Sequence, residues 1–158
     1  MVIELIVVGK TTGSWLESGI REYTERLAHY TRFTFSVIPE LKNARSLREE
    51  QIKRTEGELI LGRTAPSDWV VLLDEQGRQP AGSVALADWL QGLLNRGTRK
   101  VVFVIGGAYG FSPEVYARAN EKLSLSALTF SHQMVRLIFV EQLYRAFTIL
   151  NGEPYHHR

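Results

Sequence analysis

Cysteine is absent from this chain of 158 residues. That absence excludes disulfide bridges, thiolate nucleophiles, Cys-ligated zinc and iron–sulfur clusters together. Apolar runs of membrane-spanning length are missing, and so is a basic-then-apolar segment at the N-terminus; both point to a cytoplasmic protein. Neither sign of charge dominates. With 19 Lys and Arg against 17 Asp and Glu, the formal net charge is +2, too little for a polycation that coats nucleic acid. The histidines form no metal-ligand spacing on any one helix, and His156-His157 alone is a weak metal signal. Repeats, low-complexity tracts and dividing linkers are also lacking. Apolar content of 44% and charged content of 23% are ordinary for a globular chain, so residues 1–158 read as one domain with one core.

What is present is an alternation of strand-like and helix-like segments. Val2 to Val8 is a near-continuous apolar strand, and Ser14 can cap a helix with Trp15, Leu16, Ile20, Tyr23 and Leu27 as its apolar stripe. Phe33 to Ile38 is a second strand, followed by a polar, basic helix over about residues 46–62. Trp69 to Leu73 is the third strand, and a helix from Ser83 ends near Gly97. Val101 to Ile105 is the fourth strand, and Ser112-Pro113 open a short helix. Leu125 to Phe130 is expected as a fifth strand before a long helix from Met134 to Leu150. All-apolar strands alternating with helices predict a parallel sheet covered on both faces.

Ligands of open parallel sheets bind beyond the C-terminal ends of the strands. Three such ends carry unusual residues: Leu73-Asp74-Glu75, then Gly106-Gly107-Ala108-Tyr109-Gly110, then Thr129-Phe130-Ser131-His132. Missing side chains at the glycines let backbone approach a ligand closely, yet GGxxG is neither the dinucleotide fingerprint nor a P-loop. Asp74 fits a loop cap as well as a ligand contact. Ser126 or Ser131 with His132 lacks the GxSxG elbow of a hydrolase. The run Lys42, Arg45, Arg48, Lys53 and Arg54 reads either as a solvated helix face or as a phosphate-facing patch.

The final helix holds the sharpest signal. At about 100° per residue, Glu141, Gln142, Arg145 and Thr148 share one face, while Arg136 falls among Phe139, Val140, Leu143 and Phe147. Arg136 also sits near the helix N-terminus, where the macrodipole disfavours a cation. The favoured reading is an arginine aimed at an anion, over a guanidinium that snorkels out of a half-buried surface. Glu141 and Arg145 form an i, i+4 pair that is either a simple surface pair or the border of a site. Leu137, Val140 and Tyr144 widen the apolar surface beyond half the circumference, which predicts a homodimer bringing one subunit's tail to the other's pocket. That tail, Asn151 to Arg158, concentrates groups suited to a base edge or a phosphate.

Four segments carry a family resemblance: VGKTTGSWLESGIREYTERL, IGGAYGF, SLSALTFSHQMVRLIFVEQLYRAF and the closing PYHHR. They closely resemble the RlmH family of SPOUT-class RNA methyltransferases, and the likeness covers essentially the whole chain. The resemblance implies an α/β SPOUT fold with a C-terminal trefoil knot, an obligate homodimer and S-adenosylmethionine as cofactor. It implies methylation of N3 of a pseudouridine, position 1915 of 23S rRNA, in the large-subunit rRNA of assembled ribosomes. The cofactor pocket maps onto Leu73, Gly107, Leu125, Ser126, Ala127, Leu128, Thr129 and Phe130. His156 is then the candidate proton acceptor with Tyr155 beside it, and Arg136 the stabiliser of developing charge, so Arg136→Ala is expected to harm catalysis more than folding. Family members usually end in Tyr-His followed directly by Lys or Arg; here His157 intervenes and Arg158 comes one residue late. A tRNA substrate, or a non-catalytic ribosome-binding module on the same fold, are the alternative readings.

Overall fold

The computed structural model describes residues 1–157. In chain order it holds β1 (Val2–Val8), α1 (Ser14–Leu27), β2 (Arg32–Ile38), a short 3-10 turn (Ala44–Ser46) and α2 (Glu49–Leu61). There follow β3 (Trp69–Arg78), α3 (Ser83–Asn95), β4 (Lys100–Ile105), α4 (Pro113–Arg118), β5 (Glu121–Leu123) and α5 (Met134–Leu150). The strands form one sheet in the order β2-β1-β4-β3-β5, with every pairing parallel.

The period of two along each strand divides the core. Ile3, Leu5 and Val7 of β1, with Val101, Phe103 and Ile105 of β4, face α1, α3 and α5, where Leu27, Leu90, Phe139 and Leu143 meet them. Ile6 and Val8, with Val102 and Val104, face α2 and α4 through Ile60 and Val115. Both faces are therefore covered, which is why the strands read as unbroken apolar runs. α1 leaves β1 on one face and α4 leaves β4 on the other. The connections therefore diverge between β1 and β4, the point where a parallel sheet reverses its strand order.

Two expectations change. The fifth strand is Glu121–Leu123, and residues 125–130 form an irregular loop. Specific side chains place the strand early: Asn120 brackets Val70 with a 2.8 Å bond from its N–H and another to its side-chain oxygen. The Glu121 carboxylate accepts from the indoles of Trp69 (2.7 Å) and Trp89 (3.0 Å). Serines then take over the loop. Ser124 Oγ donates to the Ser126 carbonyl (2.9 Å), and Ser126 Oγ accepts from Leu128 N–H (3.0 Å), local bonds that compete with a sheet ladder. β3 in turn runs past Leu73 to Arg78 through a register irregularity, with Gly77 packed directly on the backbone of β5.

The second change concerns α5. Its flank is already covered within the chain: Leu137 lies against Gly19 of α1, and Tyr144 packs on Tyr23 and Tyr30. Thr148 is fully buried, its hydroxyl donating to the Arg145 carbonyl (2.7 Å), and so leaves the polar face. The extra apolar width of this helix serves α1 and α3.

Candidate active site

A cleft of about 480 Å³ opens at the C-terminal ends of β3, β4 and β5, within the range of small-molecule sites. Leu73, Gly107, Leu125, Ser126, Leu128, Thr129 and Phe130 all line it, and of the residues expected there only Ala127 does not. β4 stops where its apolar run stops and β3 leaves its own run at Leu73, while the loops after β4 and β5 carry glycine, serine and threonine. Gly106 and Gly107 line it where neither has room for a side chain: a Cβ on Gly106 would stand 3.1 Å from the Phe111 ring, and one on Gly107 2.8 Å from Glu56 Oε1. Asp74 accepts from Gln76 N–H (2.8 Å) and from the Tyr116 hydroxyl, so it is a loop cap at the rim. Burial and then this carboxylate push the Tyr116 phenol up to about 12. Tyr116 was not legible beforehand, because nothing in the sequence ties α4 to Asp74.

A second group gathers at the other end of α5. Gly152 takes the left-handed conformation (φ 67°) and turns the chain back over the helix. Glu153 N–H then bonds the Thr148 carbonyl (2.9 Å), while the Tyr30 hydroxyl reaches both Glu153 oxygens (2.8 and 2.7 Å). The tail is thereby anchored. Arg145 donates from Nε (3.0 Å) and Nη2 (2.6 Å) to Glu141 Oε1, which also accepts from the Tyr155 hydroxyl (3.0 Å). Arg145 Nη1 stands 3.1 Å from His156 Nδ1, and the guanidinium lies 4.7 Å over the Tyr155 ring. Burial opposes the Arg145 charge, but Glu141 outweighs it and raises the guanidinium pKa. Burial, with the bonds to Tyr23 and Glu141, raises the Tyr155 phenol.

This network defines the imidazole. A guanidinium only donates, so Nδ1 of His156 accepts and a neutral ring carries its proton on Nε2. In this arrangement the Nδ1 of His156, the expected proton acceptor, is engaged by Arg145, and Nε2–H is a donor. His157 is exposed, and Arg158 lies outside the described residues.

Arg136 requires the largest correction. It is fully buried, and its guanidinium donates to the carbonyls of Val8 (2.8 Å), Gly9 (2.8 Å) and His132 (3.0 Å) and to Thr11 Oγ1 (3.1 Å). Burial lowers its pKa, with Glu40 opposing. The negative partners it seeks are backbone carbonyls at the end of β1, where the strand runs out of ladder partners. It neither lines the cleft nor joins the tail group.

The family described as predicted SPOUT methyltransferase matches residues 1–156. The chain belongs to the SPOUT methyltransferase family. It is 56% identical to the ribosomal RNA large subunit methyltransferase H of Christiangramia forsetii over the full length of both chains. With the protein of the same name from Parabacteroides distasonis it shares 52% identity over 99% of each. Among solved structures, a probable methylase family protein from Haemophilus influenzae superposes with a TM-score of 0.57 at 14% identity, covering 99% of this chain and 70% of that one, a likeness of fold.

Within this SPOUT methyltransferase the two groups are separate. Val135 lines the cleft and Arg145 belongs to the tail group, and ten helical residues span about 15 Å. One chain therefore holds a cavity at one end of α5 and an array of polar donors toward the other.

Proposed function

We propose that the chain methylates N3 of a pseudouridine in large-subunit rRNA, at the position numbered 1915 in 23S rRNA, drawing the methyl group from S-adenosylmethionine. The substrate is the assembled ribosome in the cytoplasm, and the working unit is a homodimer with a C-terminal trefoil knot. The observation that carries the reading is the glycine-floored cleft at the ends of β3, β4 and β5 in a chain of this family. The names of relatives more than half identical over nearly the full length, ribosomal RNA large subunit methyltransferase H, support the substrate class.

The residues present fit the cofactor. Leu73, Leu125, Leu128 and Phe130 offer apolar surface for an adenine, Ser126 and Thr129 offer hydroxyls, and Gly106 and Gly107 leave room for close backbone approach. Bound there, the cofactor supplies a methyl group made electrophilic by a sulfonium. The protein's task is to position the acceptor and to meet the charge that develops on it. N3 of the base is mostly protonated at neutral pH, and loss of that proton leaves an anion spread over the flanking carbonyls. Arg145 and the Nε2–H of His156 are donors suited to that anion, and Glu141 holds Arg145 in place. The proton passes to solvent, since the tail group holds donors and no free base.

The dimer joins the two groups. α1 and α5 run parallel, as the contacts Gly19–Leu137, Tyr23–Tyr144 and Tyr30–Phe147 require, so Trp15 and Met134 share the cleft end of the helix layer. Trp15 is 64% exposed, Met134 36% and the cleft residue Leu128 72%, large apolar side chains suited to a second copy. In that dimer one subunit's tail completes the other's cleft, the arrangement this reading requires.

The test is transfer of a labelled methyl group from S-adenosylmethionine, offered free rRNA, tRNA, large subunits and whole ribosomes from cells lacking the endogenous enzyme. Label in large-subunit rRNA of assembled ribosomes is the expected result. Label in tRNA alone overturns the substrate, and binding without transfer to any RNA overturns the activity.

A further inference from the structure

Glu56, on α2, is nine-tenths buried, and no hydrogen bond from any described residue reaches its carboxylate. It lies against Gly107, with Oε1 2.8 Å and Oε2 3.0 Å from the point a Cβ would occupy there, and Gly107 lines the cleft. The nearest charges do not help it. Glu40, whose own carboxylate packs on Gly9 at the end of β1, adds a like charge, and burial and Glu40 together raise the Glu56 pKa. Arg136, the buried cation at the end of β1, gives its guanidinium to the carbonyls of Val8, Gly9 and His132 and to Thr11. Its oxygens keep some contact with solvent, and with no protein donor on them a cation that enters their field is favoured.

We infer that Glu56 reads the positive charge of the methyl donor through the glycine floor of the cleft, making the site prefer the cationic donor over its neutral demethylated product. The inference rests on the proposed cofactor. S-adenosylmethionine and S-adenosylhomocysteine differ by one methyl group and one positive charge on sulfur, so a carboxylate near the floor acts on the first and barely on the second. Even partly screened, a unit charge beside the floor is enough to separate the two affinities by a few-fold. Loss of the charge on transfer then loosens the product.

Titration calorimetry on the full chain, with thermal unfolding as a check of fold, tests this on wild type, Glu56→Gln and Glu56→Asp. Glu56→Gln should weaken S-adenosylmethionine by roughly three- to tenfold and leave S-adenosylhomocysteine within about twofold. Sinefungin, with an ammonium in place of the sulfonium, should follow the donor. Glu56→Asp, which keeps the charge, should hold the donor-to-product ratio near that of wild type. Equal shifts for both ligands in Glu56→Gln, no shift, or an Asp variant that behaves like Gln would overturn the inference. If the wild-type chain binds neither compound, it is the reading of the cleft as a methyl-donor site that fails.

Discussion

Arg136 and Arg145 stand nine residues apart on one helix and do opposite work. The first is fully buried and bonded to three carbonyls; the second is half-buried, held by Glu141 and turned to His156. Arg136→Met keeps the bulk but leaves the carbonyls of Val8, Gly9 and His132 without their donor. Each unpaired buried polar group costs about 1–3 kcal/mol, so the variant should lose about 3 kcal/mol or more of stability, visible as a lower urea midpoint. A variant that stays as stable as wild type but fails to methylate would restore the anion-binding role. Arg145→Ala should do the reverse. Turnover on ribosomes falls by about 100-fold, the scale of losing one charge-stabilising donor, while calorimetry finds S-adenosylmethionine affinity within about twofold of wild type. Loss of cofactor binding in that variant would sever the tail group from the acceptor.

At the scale of elements, the cleft depends on a short pairing. β5 has three residues, and the loop that lines the cleft follows it directly. Gly77 permits that pairing: a Cβ there would come within 2.6 Å of the Leu123 nitrogen and the Lys122 carbonyl carbon, backbone atoms that cannot swing aside. Gly77→Ala should therefore push β5 off β3, cost about 1–3 kcal/mol as overpacking does, and weaken S-adenosylmethionine at least tenfold. Normal affinity in a folded Gly77→Ala protein would show that the loop holds its shape without β5. The apolar residues of 125–130 read as strand because a short apolar run carries no period of its own. Ser124 and Ser126 were the readable sign against it, since both sit where a short hydroxyl can take the backbone's bonds.

For the whole molecule, the separation of cleft and tail along α5 makes a decisive expectation. Sedimentation should report a dimer, and Trp15→Glu together with Met134→Glu should yield a folded monomer that binds S-adenosylmethionine but does not methylate ribosomes. A fully active monomer would place the whole site within one chain. Mixing two inactive proteins, Arg145→Ala and a variant whose cleft no longer binds cofactor, should recover activity through mixed dimers, in which one of the two sites keeps both intact halves. No recovery after subunit exchange would return both halves to a single subunit.

The sequence by itself determined the parallel α/β sheet and the strand ends that bear the cleft, and its family resemblance marked Leu125, Ser126 and Leu128 of the lining. Burial on two faces writes strands as apolar runs, and the residues that must approach a ligand closely are glycines and small hydroxyls directly after them. It also marked Arg136, Arg145 and the tail as unusual. Only the tertiary structure decided what each one meets. Helical angle places Arg136 on a face but says nothing of the β1 carbonyls more than 120 residues earlier in the chain. In the same way, Leu137 and Tyr144 looked unpartnered until α1 covered them, and the polar groups of the tail had no fixed place until Gly152 turned the chain toward Tyr30. Periodicity is a property of one segment, whereas a buried charge is satisfied by whichever distant backbone the fold brings to it.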